Sequence, residues 1–258
     1  MENKKKAIIA VVVCTVVLAS AVTGGYFMME NKELQKYKSI PLSLPEDFRY
    51  TAHTGCSGTE DNSLESIEIG IKNGAGIVEF DLNFDKDGNP VLAHDEPKGN
   101  EITLEEAFKK LSEYPEIKAN VDVKTTTNLK AVQELAEKHG VLDQIFYTGI
   151  KEEFVEAAKT QSPKISYYLN MGDILSPKKH TREYILTLTQ KVKECGAVGI
   201  NFKYTEASEM LVDIFHEEGL LVSIWTVNSE KDLYRILSYA PDNITTKKPE
   251  VLQKILAE

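Results

Sequence analysis

The sequence predicts an α/β chain folded as a (β/α)8 TIM barrel and preceded by one N-terminal transmembrane helix. Eight short β-rich runs alternate with eight helical ones from Arg49 onward. Successive strand–helix units of this kind build a parallel sheet, and eight of them close it into a barrel. The turn after the first run, His53-Thr54-Gly55-Cys56-Ser57-Gly58, lacks the G-x-G-x-x-G spacing of a doubly wound nucleotide fold, which leaves an open sheet as the weaker alternative. The length of 258 residues suits one such barrel or two small domains.

The amino end reads separately. Lys4-Lys5-Lys6 precedes an apolar run over residues 7–29. At about 1.5 Å per residue, a helix of that length crosses a ~30 Å hydrocarbon core with some tilt. The lysines favour a cytoplasmic N-terminus (residues 1–6), which places the remainder outside the cell membrane. Ala19-Ser20-Ala21 also fits a small-x-small cleavage site, so residues 7–29 read as an anchor or a signal peptide. Residues 30–46 form a polar spacer ending in Pro41-Leu42-Ser43-Leu44-Pro45, and the barrel occupies 47–258.

The strands are expected at Arg49–Gly55, Ile77–Phe84, Ala119–Lys124, Ile145–Gly149, Ile165–Met171, Val198–Tyr204, Leu221–Asn228 and Asn243–Thr246. The intervening helices are Ser63–Asn73, Leu104–Leu111, Leu129–His139, Glu152–Thr160, Thr181–Glu194, Glu206–Glu218, Glu230–Tyr239 and Val251–Ala257. Thr103-Leu104-Glu105-Glu106 has the capping-box pattern, Asn62-Ser63 is a cap candidate, and Gly140, Gly196 and Gly219 close three helices. Cys56 follows a strand and Cys195 a helix, on opposite faces of such a barrel; they lie beyond the ~7 Å bridging limit, and no disulfide is expected.

Chemistry concentrates in the second strand. Along Gly76-Ile77-Val78-Glu79-Phe80-Asp81-Leu82 the side chains alternate, so Glu79 and Asp81 share one face and Val78, Phe80 and Leu82 the other. Two carboxylates roughly 7 Å apart on one face can grip one divalent cation. His53 ends the first strand. Asp87-Gly88 turns the chain back so that His94 returns to the same rim. Asp122 and Lys124 share a face of the third strand, where Asp122 can complete a three-carboxylate site. Asn201 and Lys203 end the sixth strand, and Trp225 and Asn228 the seventh. His139, His180 and His216 fall at helix ends or in polar loops and read as surface residues; Tyr167-Tyr168 reads as barrel filling. The formal net charge of −10 argues against a nucleic-acid-binding face, though a phosphate substrate remains compatible if local cations attract it.

These residues resemble the glycerophosphodiester phosphodiesterase family, a barrel branch of the phosphatidylinositol-phospholipase-like phosphodiesterases. The matching pieces are Ala52-His53-x-Gly55, Asn62-Ser63-Leu64-Glu65-Ser66-Ile67, Val78-Glu79-Phe80-Asp81-Leu82 and Lys86-Asp87-Gly88-Asn89-Pro90-Val91-Leu92-Ala93-His94-Asp95. Asn120-Val121-Asp122-Val123-Lys124, Trp225-Thr226-Val227-Asn228 and Ile244-Thr245-Thr246-x-x-Pro249 follow. The resemblance implies a metal-dependent hydrolase that cleaves glycerophosphodiesters to glycerol phosphate and an alcohol. Glu79, Asp81 and Asp122 would hold Ca²⁺ or Mg²⁺, His53 would act as general base and His94 as general acid. Lys124, Lys203, Asn201 and Trp225 would contact substrate.

Three departures stand out against the family's pattern. Thr54 replaces the Arg that usually follows the first histidine, and Asp122 replaces a Glu. The small subdomain that many members insert between His94 and Asp122 is absent, which suggests an open site. Lysophospholipase D-like cleavage of lysolipids, and a catalytically impaired barrel that binds cell-envelope glycerol-phosphate polymers, are the alternative expectations. The oligomeric state is not legible.

Overall fold

The structure is a computed structural model that describes residues 29–172 and 174–258. The chain divides into two units, Met1–Pro41 and Leu42–Glu258. In the first, residues 29–38 form a helix, α1, where a spacer was expected. Its Met, Glu, Lys, Leu and Gln residues are good helix formers. The expected membrane segment, residues 7–29, lies outside the described residues except for Met29. No described helix is long and apolar enough to cross a membrane.

The second unit is the barrel. Its parallel strands are β1 (Arg49–Ala52), β2 (Ile77–Phe84), β4 (Lys118–Val123), β5 (Ile145–Ile150), β6 (Tyr167–Asn170), β7 (Gly199–Lys203), β8 (Leu221–Trp225) and β9 (Asn243–Thr246). β1 pairs in parallel with both β2 and β9, which closes the ring. β3 (Pro90–Leu92) runs antiparallel to β2 as the return arm of a hairpin. The outer helices are α2 (Leu64–Lys72), α3 (Leu104–Leu111), α4 (Leu129–His139), α5 (Glu152–Gln161), α6 (Arg182–Cys195), α7 (Glu209–Glu217), α8 (Glu230–Leu237) and α9 (Pro249–Ala257).

Packing follows the alternation in β2. All eight of its residues are buried, and Val78, Phe80 and Leu82 pack outward under the helices, with the Phe80 and Phe108 rings edge to face at 6.4 Å. The inward face is polar instead. Low in the barrel, Asn243 donates to Thr51 Oγ1 at 2.8 Å and Ser223 donates to Asn243 Oδ1 at 3.0 Å. Such groups are tolerated inside because each finds a partner. Tyr168 does fill the barrel, edge to face with Phe146 at 5.6 Å. The capping box at Thr103–Glu106 forms, and Ser63 Oγ accepts from the Ser66 amide.

Three expectations need correction. β1 and β8 end at Ala52 and Trp225, short of Gly55 and Asn228, because the next residues turn to line the rim. His53 N–H donates to Thr246 O at 2.9 Å, drawing the chain over β9. His180 is buried, with Nδ1 2.8 Å from Ser208 Oγ, since the loop before α6 folds onto the start of α7. His139 is half-buried and bonded to Glu105, whereas His216 lies at the surface as expected, bonded to Asp242. Cys56 and Cys195 are free thiols.

Candidate active site

The carboxyl ends of the strands open into a cleft of about 810 Å³. That volume is within the ~300–1,000 Å³ typical of small-molecule sites. All nine residues singled out from the sequence line it: His53, Glu79, Asp81, His94, Asp122, Lys124, Asn201, Lys203 and Trp225.

Its floor is acidic. Asp81 on β2 is in register with Asp122 on β4, and Glu79 with Asn120. Ligand oxygens of Glu79, Asp81 and Asp122 lie within 4.8 Å of one another. The groups around them fix each carboxylate. The Thr54 backbone N–H donates to Glu79 Oε2 at 2.7 Å, and Thr148 Oγ1 donates to Asp122 Oδ1 at 2.7 Å. Asn62 holds Asp81 from both sides: its Nδ2 donates to Asp81 Oδ2 and its Oδ1 accepts from the Asp81 amide, each at 2.9 Å. Lys124 Nζ bridges Asp81 Oδ1 at 2.7 Å and Asp122 Oδ2.

The electrostatics follow from this crowding. Burial raises the Glu79 carboxyl well above the usual carboxylate range, and the negative charges of Asp81 and Asp122 add to it. For Lys124, burial opposes the charge, but Asp122 and Asp81 outweigh it and hold the ammonium above its ordinary value. The residues fit a divalent cation. Three converging carboxylates form an all-oxygen donor set of the kind hard ions take, and the Lys124 ammonium already bridges two of them as a positive charge would.

The histidines differ in setting. His53 is largely buried, with Nδ1 2.8 Å from Thr54 O and 3.6 Å from Glu79 Oε2. A carbonyl only accepts, so Nδ1 carries the proton and Nε2 keeps a free lone pair. Burial lowers the His53 pKa below the ordinary histidine value; the Thr54 hydrogen bond opposes that, and the charge of Lys247 reinforces it. His94 is 68% exposed at the rim and its Nδ1 lies 2.9 Å from Asp95 Oδ1. Lys203 Nζ sits 5.9 Å from the centre of the Trp225 ring, and the two residues are register partners. Asn201 Nδ2 donates to Asn170 Oδ1 at 2.9 Å.

A model of the glycerophosphoryl diester phosphodiesterase family matches residues 50–98 and 96–251, nearly the whole barrel. The chain belongs to that family. Its phosphodiesterase relatives include a glycerophosphodiester phosphodiesterase of Bacillus altitudinis, 26% identical over 80% of this chain and 97% of the relative. One of Bacillus subtilis is 24% identical over 83% and 88%. Among solved structures, an Oleispira antarctica phosphodiesterase in complex with the product sn-glycerol-3-phosphate superposes with a TM-score of 0.70, at 19% identity, over 83% of this chain and 98% of that one. At that identity the likeness is one of fold. Membership makes the chain a glycerophosphodiester phosphodiesterase-like phosphoric diester hydrolase.

Several residues around this phosphodiesterase site escaped the sequence reading. Asn62 read as a helix cap, yet it grips Asp81. Asn120, Thr148 and Asn170 line the cleft from strand faces that the period-2 pattern could have flagged. Lys247, after β9, lines the cleft too, and its Nζ pairs with Asp61 Oδ1 at 2.7 Å. Thr54, in the position of the usual arginine, points away from a phosphate role. It is 2% exposed and its Oγ1 accepts from the Asn62 amide.

Proposed function

We propose that this protein hydrolyses glycerophosphodiesters to glycerol phosphate and an alcohol, using Ca²⁺ or Mg²⁺ at Glu79, Asp81 and Asp122 with His53 and His94 as the acid–base pair. The observation that carries the reading is the convergence of the three carboxylates, within 4.8 Å, beneath a histidine whose Nε2 is free to accept a proton. A relative solved with sn-glycerol-3-phosphate as its product supports the substrate class.

A divalent cation held by Glu79, Asp81 and Asp122 would supply Lewis acidity toward the phosphate. The chain's own residues do the rest. His53 takes a proton at Nε2, and its lowered pKa keeps the ring neutral for that task near pH 7. His94 donates a proton from Nε2 to the departing alkoxide, with the ring oriented by the Nδ1 contact to Asp95. Alkoxides leave poorly, so this proton is what makes the P–O bond cleavable. Lys124 adds positive charge where the phosphorane-like oxygens develop negative charge. Trp225, Asn201 and Lys203 wall the opposite side of the cleft. The site works outside the cell membrane in this reading, with residues 7–29 as anchor or cleaved signal; the tri-lysine before an apolar run of spanning length supports that orientation.

The test is a phosphodiester panel run with chelator and then with Ca²⁺ or Mg²⁺ restored. Metal-dependent release of glycerol phosphate, lost in both His53→Ala and His94→Ala, is the expected result. Wild-type turnover by both variants, or turnover indifferent to chelation, would sink the assignment.

A further inference from the structure

The lysines lining the cleft fall into two sets. Two are paired: Lys124 with Asp81 and Asp122, and Lys247 with Asp61. At the ends of β5 and β7, Lys151 and Lys203 line the same cleft, and neither meets a carboxylate among the described residues. Both are exposed, and their ammonium groups lie over rings instead, 5.9 Å from the centre of Phe154 and 5.9 Å from that of Trp225 respectively.

The ring order places Lys203 across from the acid pair and Lys151 two strands from it, next to the strand of Asp122. Counting round the barrel, β7 stands four strands from β2 in either direction, so Lys203 and the Glu79–Asp81 pair occupy opposite walls of one cleft. β6 separates Lys151 from Lys203 and ends at Asn170. The Asn170 side-chain Oδ1 is already taken by Gly149 N–H at 2.8 Å and by Asn201 Nδ2 at 2.9 Å. That leaves its side-chain Nδ2 to donate. On β8 the buried indole Nε1 of Trp225 has no acceptor among the described residues. Two unpaired cations and the Asn170 side-chain N–H make the ends of β5, β6 and β7 electropositive, with Lys203 facing the acid pair.

We propose that Lys151, Lys203 and Asn170 form a second anion subsite, which selects phosphodiesters carrying a further phosphate or carboxylate and disfavours those carrying a quaternary ammonium. The inference rests on the hydrolase reading above and deepens it. The scissile phosphate engages the metal side, and the second anion is met by charge-assisted hydrogen bonds on the far wall. The exclusion has its own cause. The face of a Trp ring is where a choline group would ordinarily bind, but the Lys203 ammonium is already over that ring, and a second cation there meets like charge. A cleft of 810 Å³ has room for both anionic groups of one substrate.

Three diesters with the same glycerophosphoryl unit test this on the full chain with metal present. They are the dimer of glycerol phosphate (one diester and one terminal monophosphate), bis(glycerol) phosphate, and glycerophosphocholine. The expected order of kcat/KM is dimer, then bis(glycerol) phosphate, then glycerophosphocholine, with about tenfold or more between the extremes. Lys203→Glu and Lys151→Glu are expected to lower the dimer-to-choline ratio by at least about tenfold each. Lys203→Arg is expected to retain the ratio, since the charge stays. Both lysines are exposed, so the variants should fold, which thermal melts would check. Equal kcat/KM for the three diesters, or a ratio unmoved by the Glu variants, overturns this inference and leaves the hydrolase reading standing. No hydrolysis of any diester overturns both.

Discussion

Asn62 and Asp81 grip one another through two hydrogen bonds of 2.9 Å, side chain to side chain and side chain to backbone. The grip is available because Asn62 sits at φ 58°, a left-handed conformation that Asn tolerates better than most residues. This turn aims the amide at β2 instead of at solvent. Removing such a support typically costs about 10–100-fold in metal affinity. Asn62→Gly keeps the backbone conformation and removes the amide, so it should weaken Ca²⁺ or Mg²⁺ binding by that order in a metal titration. An affinity equal to the parent's would show that Asp81 is held without it.

Glu79 gives the metal-free protein an unusual pH dependence. Its folded pKa lies above the unfolded value, so the folded chain binds more protons through that interval. Stability from this group is therefore present at low pH and lost as pH rises through the folded pKa. In chelator, Glu79→Gln should melt higher than the parent at neutral pH, and the advantage should shrink on acidification. With metal restored the order should reverse, because a ligand that binds the native state alone stabilises it. A variant that melts lower in chelator at neutral pH contradicts the crowding described here.

As the proposed base, His53 should set the acid side of the pH–rate curve. Burial lowers its pKa, so the neutral base persists to more acidic solution than a free histidine allows. The acid limb of kcat/KM should break below pH ~6.5. His53→Ala should remove that limb together with about 10²–10⁴-fold of rate. A break above the ordinary histidine value would argue that another group is the base.

Gly149 lies where a side chain cannot. At φ 74° on β5, a Cβ there would stand 2.3 Å from Val123 O and 2.9 Å from Asp122 Oδ1. Gly149→Ala should destabilise the barrel by roughly 1–3 kcal/mol and push Asp122 off the shared centre. Thermal melts and metal titration read the two effects separately. Unchanged values in both would mean that β4 and β5 part at no cost.

Much of the barrel was legible because its signals are local. Ile77–Phe84 and Leu129–His139 appear with the bounds their periodicities predict, since alternation and the 3.6-residue repeat need no distant partner. Glu79, Asp81 and Asp122 were legible for the same reason: face alternation and parallel neighbours put them together before any packing is known. The Asp87-Gly88 turn and the return of His94 to the rim also read correctly, although β3 itself did not. Asn62 was opaque, since a cap and a carboxylate support look alike when the residue across the loop is unspecified. His180 was opaque too; a polar loop residue is buried only once a neighbouring helix start closes over it.

The order of residues along this chain thus settles which strands form, which way their side chains alternate, and which acids can share a cation. Closing the ring settles what no local pattern contains: that Lys203 lies opposite Glu79 and Asp81, that Lys247 finds Asp61, and that Asn62 reaches Asp81. Pairings across the barrel depend on strand count and curvature, and these are properties of the assembled sheet, invisible in any single stretch of it.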